Sequence, residues 1–530
     1  MTPIVQAPKE AAYELACVRA ATRSRREHRI FPFLALLLIA LSVHVFHIGR
    51  PFLPNEEATA TAIPVMHAVN FARYGPAASR FAAILNTGRV EPTNWVVYAH
   101  HPPLVPLLIA SGYSVFGVSE WSTRLFPVLF TVASAALIYL LALRRFGETV
   151  AFLSGFFYTC APITVAFGGM PDYLNGQVVF FILASVATYF CWYETRRPFW
   201  LWLLFLSAIF GSLTDWPIFF SGIVLYGHYL LNCPEHSLPK KIVPGLLMSL
   251  TLAGLLCWTD WVGQGPSIWA SIHHRTIGDG NSSDLLNYIS TIVTYNLGRL
   301  HTGLICWLAL GFIASLLVKL LNRKWSELRN DAPAVVLLLI AALYLGAALQ
   351  GNQQPWWSVI FTAPLSIAAA LSVESLRLSS SKGVIRLGVP ITVLTVFLIA
   401  AIPESYRQLN FQWEHSRSAG YTTKELGTVI KTISQPHEGV VTSDTTYDAS
   451  LWFYSDRKLR PGVTLISQLT ASLVSGPYPL PHSYSQPNGP APRWFVMPPP
   501  HRTALSPLAH ALDARFPRRE VNGYSVYRLY

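Results

Sequence analysis

Residues 101–147 read HPPLVPLLIASGYSVFGVSEWSTRLFPVLFTVASAALIYLLALRRFG. Two apolar stretches lie in this run. The first, 102–117, is short and opens on two prolines; the second, 124–143, is a full membrane span closed by Arg144-Arg145. Whether the run crosses a bilayer once or twice decides the side of everything after it. With the basic N-terminus (Lys9, Arg19, Arg23, Arg25, Arg26, Arg29) in the cytoplasm, the basic pairs Arg144-Arg145, Arg196-Arg197, Lys240-Lys241, Arg323-Lys324 and Lys382 with Arg386 all fall on that side if 102–143 crosses once. A second crossing would send every one of them to the wrong side of the positive-inside rule. Residues 102–117 are therefore expected to lie along the interface or to re-enter.

The rest of the chain supports a polytopic reading. Of 530 residues, 52% are hydrophobic and only 12% charged, about half the charged fraction of soluble domains. Apolar runs recur at 30–48, 124–143, 148–167, 174–193, 199–214, 217–232, 243–262, 302–321, 333–349, 356–373 and 385–403. Most are long enough for a hydrocarbon core of about 30 Å, so about eleven crossings are expected. The first run lacks a small-residue cleavage site and reads as a retained signal-anchor. The net charge of +12 sits in short loops at helix ends, which argues against a nucleic-acid partner. Six scattered cysteines without a CxxC imply neither a disulfide framework nor a thiolate metal site.

Three regions are expected: a basic cytoplasmic segment 1–29, a membrane domain 30–403 with a long external loop 49–101, and a soluble external α/β domain 404–530. In the last, 440–444 and 493–497 read as strands, 503–515 has helical spacing, and 523–530 alternates as a final strand. A Pro-rich linker lies near 477–492.

The same parity gathers polar residues on the external face. Glu56 and Glu57 follow the first span; carboxylates there can act as general bases towards a hydroxyl or simply favour the first turn of a helix. His100 and His101 precede two prolines, which hold their backbone extended; imidazoles there can meet a phosphate or metal, or be polar surface. His273-His274-Arg275 lie in the external loop 263–301, where a cation would suit a lipid phosphate. Asp172 and Asp215 occupy turns between spans, where either can cap the following helix, and Pro217 strengthens that reading for Asp215. Gln353-Gln354-Pro355-Trp356-Trp357 reads as an aromatic belt or a sugar-stacking surface.

In this order of motifs the chain resembles the GT-C type polyprenyl-phosphate-dependent glycosyltransferases, in the group of protein O-mannosyltransferases and aminoarabinose transferases of lipid A. The resemblance rests on the acidic pair after the first helix and on His101-Pro102-Pro103-Leu104. It continues through Phe116-Gly117-Val118-Ser119-Glu120-Trp121-Ser122-Thr123-Arg124-Leu125, Arg144-Arg145-Phe146-Gly147 and Asp172. It covers roughly residues 30–200. It implies a bacterial inner-membrane enzyme that moves a sugar from a polyprenyl-phosphate donor to an external hydroxyl of protein, lipid or glycan, with inversion. By this match Glu56, Glu57 and Asp172 are catalytic, and His101, His100 and Arg275 contact the donor phosphate. His274 or His273 would hold a divalent metal ion. The family's Asp-Glu is Glu56-Glu57 here; an alignment shifted by one places Asn55 at the base position, and an amide is no base.

Two rival classes remain at this level. A transporter or flippase would place ionisable groups at mid-membrane and often repeat its halves; these spans are nearly free of charge and show no repeat. A silent, polyprenyl-lipid-binding envelope protein is favoured by Asn55 alone.

Overall fold

A computed structural model describes residues 30–530 except 47, 53–55, 87, 173–175, 233–237, 264, 266–267, 271–272, 274–281, 349–353, 381–382, 419–420, 444–448, 460–491 and 530. The basic segment 1–29, Asn55, His274, Arg275, Gln353 and nearly all of the Pro-rich stretch 477–492 thus lie outside the described residues.

The chain is a polytopic helical membrane protein with a small C-terminal sheet domain. Its helices are α1 (Ile30–Val45), α2 (Glu56–Tyr74), α3 (Leu104–Phe116), α4 (Glu120–Phe146), α5 (Glu148–Cys160), α6 (Pro162–Phe167), α7 (Gly176–Thr195), α8 (Pro198–Ser212), α9 (Ile218–Asn232) and α10 (Leu238–Trp261). After them come α11 (Ser282–Thr291), running on as a π-helix through Leu300, then α12 (Gly303–Leu321), α13 (Trp325–Asn330), α14 (Ala332–Ala347), α15 (Val359–Ser379) and α16 (Gly383–Ser418). Among the described residues six helical stretches are long and apolar enough to cross a membrane, namely α4, α7, 242–261 of α10, α12, 355–379 and 385–410. The shorter apolar helices α1, α8, α9 and α14 and the α5–α6 pair, which breaks at Ala161-Pro162, occupy the remaining five of the eleven apolar runs. In the most apolar part of α4, α7 and 355–379 more than half the residues are buried, against 11–17% for α10, α12 and α16. The former make the core and the latter face lipid.

The two faces sort as the basic loops require. Arg144 and Arg145 both pair with Glu194, at 2.7 and 2.9 Å. Arg145 also donates to the carbonyls of Asn330 and Arg329, and Lys319 pairs with Asp331. Three loops distant in sequence therefore meet on one face. These half-exposed ion pairs contribute little stability; their value is topological.

Helix α3 does not cross. Its 13 residues span about 20 Å at 1.5 Å per residue. At its start the Leu104 amide donates to the Leu213 carbonyl at 2.9 Å. Just past its end Glu120, the first residue of α4, meets Lys424 and Tyr454 of the sheet domain. Both ends thus touch elements of the same face. Its buried side (Val105, Ile109, Tyr113) packs on Ala68 and Phe71 of α2, while Val115, Phe116 and Val118 are exposed and suit an interface. A cysteine at Val118, in a chain whose native cysteines are replaced, should react with an impermeant maleimide from the same side as one at Lys424 and from the opposite side to one at Arg196. Reaction of the Val118 and Arg196 cysteines from one side would overturn this topology.

The C-terminal domain follows α16. A capping box, with Thr422 accepting from the Glu425 amide and Glu425 from that of Thr422, opens α17 (Thr423–Ile433). A five-stranded sheet has the order β4-β3-β5-β7-β6, with β3 (Gly439–Thr442) parallel to β4 (Lys458–Leu459) and β5 (Pro492–Met497). Strand β7 (Tyr524–Arg528) pairs antiparallel with β5 and with β6 (Arg518–Val521). One face carries α17 and α18 (Ala449–Ser455), the other α20 (Ser506–Arg515), which follows the short α19 (Pro499–Ala504). The expected strands and the 503–515 helix are present; α17, α18, β4 and β6 were not anticipated. In the membrane domain Trp356 and Trp357 are buried, with Trp356 6.4 Å from Phe167. They are neither an interfacial belt nor a sugar platform but core.

Candidate functional site

The site is built on the face that carries the sheet. Helix α2 begins at Glu56, so Glu56 and Glu57 occupy its first turn, where unpaired amides favour negative charge; their side chains lie outside the described set. The segment before them is tied down by Arg124, whose Nη1 donates to the carbonyls of Ile48 and Arg50. Arg124 belongs to the second turn of α4, a helix opened by a Ser119–Ser122 capping box.

Asp172 follows the turn after α6. Thr131 of α4 donates from Oγ1 to the Gly168 carbonyl at 2.6 Å, and the Asp172 amide donates to Met170, leaving Asp172 buried. A cavity of about 20 Å³ between His44, Arg50, Arg124, Val165, Gly169 and Met170 has room for about one water. It brings the turn leading to Asp172 against the segment leading to Glu56. Both acids lie on one face of the membrane domain.

The histidine pair belongs to a second constellation. His101 Nδ1 lies 2.9 Å from Asp215 Oδ1, which also accepts from the Trp216 amide at 2.8 Å. The Trp216 indole donates to the His100 carbonyl at 2.7 Å. Asp215 is 1% exposed, and its Oδ2 has no hydrogen-bond partner among the described residues. Asp215 thus does more than cap α9: it accepts from its neighbouring amide and also holds an imidazole 114 residues away. Tyr98 stacks at the centre of the group, with ring centroids 4.6 Å from His100, 6.1 Å from His101 and 5.6 Å from His67.

His67, in the middle of α2, was not singled out from the sequence. Its signal was the spacing His67, Asn70, Arg73, Tyr74, which places all four on one side of a helix. Asn70 donates to the carbonyls of Ile84 and Asn86, Arg73 to that of Gly88, and the Val90 amide donates to Tyr74. These bonds fold the loop back onto α2, with the short pair β1 (Ala83–Ile84) and β2 (Val97–Tyr98) inside it. Burial, and then the neighbouring His101, hold the His67 imidazole well below the usual histidine range, so it is neutral at pH 7.

His273 is exposed, while His274 and Arg275 lie outside the described residues. Among the described residues no three His, Cys, Asp or Glu side chains converge to hold a metal ion. The expected metal pair therefore gains no support from this geometry.

A groove of about 810 Å³ runs between α7, α8, α9 and α10, lined among others by Tyr189, Trp202, Ile209, Ile218, Leu225 and Met248. Its walls are almost wholly apolar. At one end it reaches Ser212 and Ile218, which flank the Asp215 turn.

Residues 100–261 match the family model described as dolichyl-phosphate-mannose-protein mannosyltransferase. YkcB from Bacillus subtilis strain 168 is 26% identical over 237 residues, 44% of this chain and 31% of YkcB. The chain spans less than half the length of the curated relatives it matches, 42% and 31%. Among solved structures, ArnT from Cupriavidus metallidurans bound to undecaprenyl phosphate superposes with a TM-score of 0.59 at 14% identity, over 93% of this chain and 97% of that one. The archaeal oligosaccharyltransferase AglB from Archaeoglobus fulgidus, in complex with an inhibitory peptide and a dolichol-phosphate, gives 0.55 at 12% identity, over 96% and 74%. The resemblance read from the motifs holds at the level of fold: the architecture is the one shared by the ArnT and AglB structures.

Proposed function

We propose that the protein is a glycosyltransferase that moves one sugar from a polyprenyl-phosphate donor to a hydroxyl on the external face of a bacterial inner membrane, with its N-terminus cytoplasmic. The observation that carries this reading is the His101–Asp215 pair, held by a turn whose flanking Ser212 and Ile218 line the 810 Å³ apolar groove, on the face where α2 begins at Glu56. A lipid phosphate is amphipathic, and this place offers both halves of it a partner. The isoprenoid tail fills a lipid-accessible groove, and the phosphate meets an imidazole fixed by a carboxylate.

The chemistry follows from that placement. Glu56 takes the proton of the acceptor hydroxyl, whose oxygen attacks the anomeric carbon as the bond to the phosphate oxygen breaks. Attack from the side opposite the leaving group inverts the configuration. His101 stabilises the departing phosphate, a role suited to a group held in place beforehand, and Asp172 orients the base or the acceptor. No step is routed through a metal ion. The family description and the ligand bound to ArnT support a lipid-linked donor.

The test uses the full-length protein in liposomes with undecaprenyl-phosphate mannose or glucose labelled in the sugar, and an envelope extract as acceptor. The expected result is label on an extract component with equimolar undecaprenyl phosphate released. Label that crosses the bilayer still attached to its lipid would replace this reading with a flippase.

A further inference from the structure

Glu120 and Arg124 stand one helical turn apart on α4; Arg124 engages the segment between α1 and α2 directly, and Glu120 reaches it through Tyr454. Arg124 is 3% exposed; besides its bonds to the 48 and 50 carbonyls, its guanidinium lies 4.5 Å from the centre of the Phe52 ring. Glu120 accepts from the Lys424 ammonium at 2.6 Å and from the Tyr454 hydroxyl at 3.2 Å. The same hydroxyl accepts the backbone N–H of Phe52 at 2.8 Å. Phe453 packs edge-on against Phe52 at 4.9 Å, and Asp456 pairs with Arg73 near the end of α2. Lys424, Phe453, Tyr454 and Asp456 all belong to the sheet domain.

A buried backbone N–H without a partner costs on the order of 1–3 kcal/mol, so Phe52 has a firm claim on the Tyr454 oxygen. A phenol is at once donor and acceptor, which lets this one hydroxyl join the Phe52 amide to Glu120. Burial and the adjacent Glu120 carboxylate push the Tyr454 hydroxyl well above the usual tyrosine range. It therefore keeps its proton, and its bond to Glu120, at any physiological pH. Glu56 follows Phe52 by four residues, which puts their Cα atoms within about 14 Å of each other.

We infer that Tyr454 is a positioning residue for the transfer reaction: through the Phe52 amide and Glu120, the C-terminal domain holds the start of α2 and with it the Glu56 carboxylate. The inference rests on the reading of Glu56 as base. It also gives the Phe116–Leu125 motif a task, since Ser119 opens the helix whose next two turns supply Glu120 and Arg124.

The test compares full-length wild type, Tyr454→Phe, Glu120→Gln and the double variant in liposomes. Three quantities are followed: amide hydrogen exchange across 48–57, affinity for undecaprenyl phosphate, and transfer rate at saturating donor. Tyr454→Phe should speed exchange at Phe52 at least about tenfold and slow transfer about tenfold to a hundredfold, the scale set by misplacing a reacting group by about 1 Å. Affinity should change less than about twofold, and the double variant should be no slower than the slower single one, because both residues act through one path. Unchanged exchange would overturn the clasp, and faster exchange with an unchanged rate would overturn its positioning role. Glu56→Gln measured alongside separates two failures. Full activity there removes the base and this inference together, whereas an inactive Glu56→Gln beside a fully active Tyr454→Phe removes the inference alone.

Discussion

Replacing Glu56 by glutamine should lower sugar transfer by about 10²–10⁴-fold, the range expected when a general base is lost, with membrane insertion and folding intact. Glutamine keeps the shape and helix-forming tendency of glutamate and forfeits only about 0.3–1 kcal/mol of interaction with the first turn of α2. The loss would therefore be chemical. Asp172→Asn should behave alike, because the acid is buried in a turn that Thr131 also ties to α4 and asparagine keeps its shape. The measurement is release of polyprenyl phosphate from labelled donor by purified variants of matched thermal stability. If both variants transfer at the wild-type rate, neither acid takes part in the reaction. Glu57→Gln, run in the same assay, decides which of the two adjacent carboxylates faces the acceptor: a loss confined to it would move the base one residue along.

His101→Ala should weaken binding of undecaprenyl phosphate by about tenfold to a hundredfold, the value of one hydrogen bond to a charged group, roughly 1.5–3 kcal/mol. It should also destabilise the protein, because Asp215 would be left buried with its partner gone. Removing one hydrogen-bond partner of a buried polar group costs about 1–3 kcal/mol. Asp215→Ala added to His101→Ala should restore part of the stability and none of the affinity, which separates the ligand contact from the structural one. Lipid binding by isothermal titration and thermal unfolding of the four proteins in the cycle provide the check. Wild-type affinity in His101→Ala would remove this imidazole from the donor site.

The fold was legible because its determinants are local and additive. A span announces itself by the length of its apolar run, and the basic pairs Arg144-Arg145, Arg196-Arg197 and Arg323-Lys324 mark a side without regard to how the helices pack. The short stretch 102–117 could be taken out of the count of crossings on that ground alone. The site was only partly legible. His100, His101, Glu56 and Asp172 stood out as polar residues at the ends of apolar runs. His67 did not, because its spacing with Asn70, Arg73 and Tyr74 marks a polar helix side but not the cluster of rings it enters. Trp356 and Trp357 misled for the converse reason: tryptophan beside a membrane helix is common at interfaces, and its burial against Phe167 depends on packing.

Hydropathy and charge along the chain were thus sufficient for the apolar helices and for the gathering of the basic loops on one face, since the bilayer acts on each segment separately. Tertiary structure alone decided which polar residues meet. Asp215 finds His101 across 114 residues and Tyr454 finds the Phe52 amide across 402. Such pairs follow from how helices and domain pack, and a hydrogen bond that closes only when two distant surfaces come together leaves no periodicity or spacing in the chain to be read.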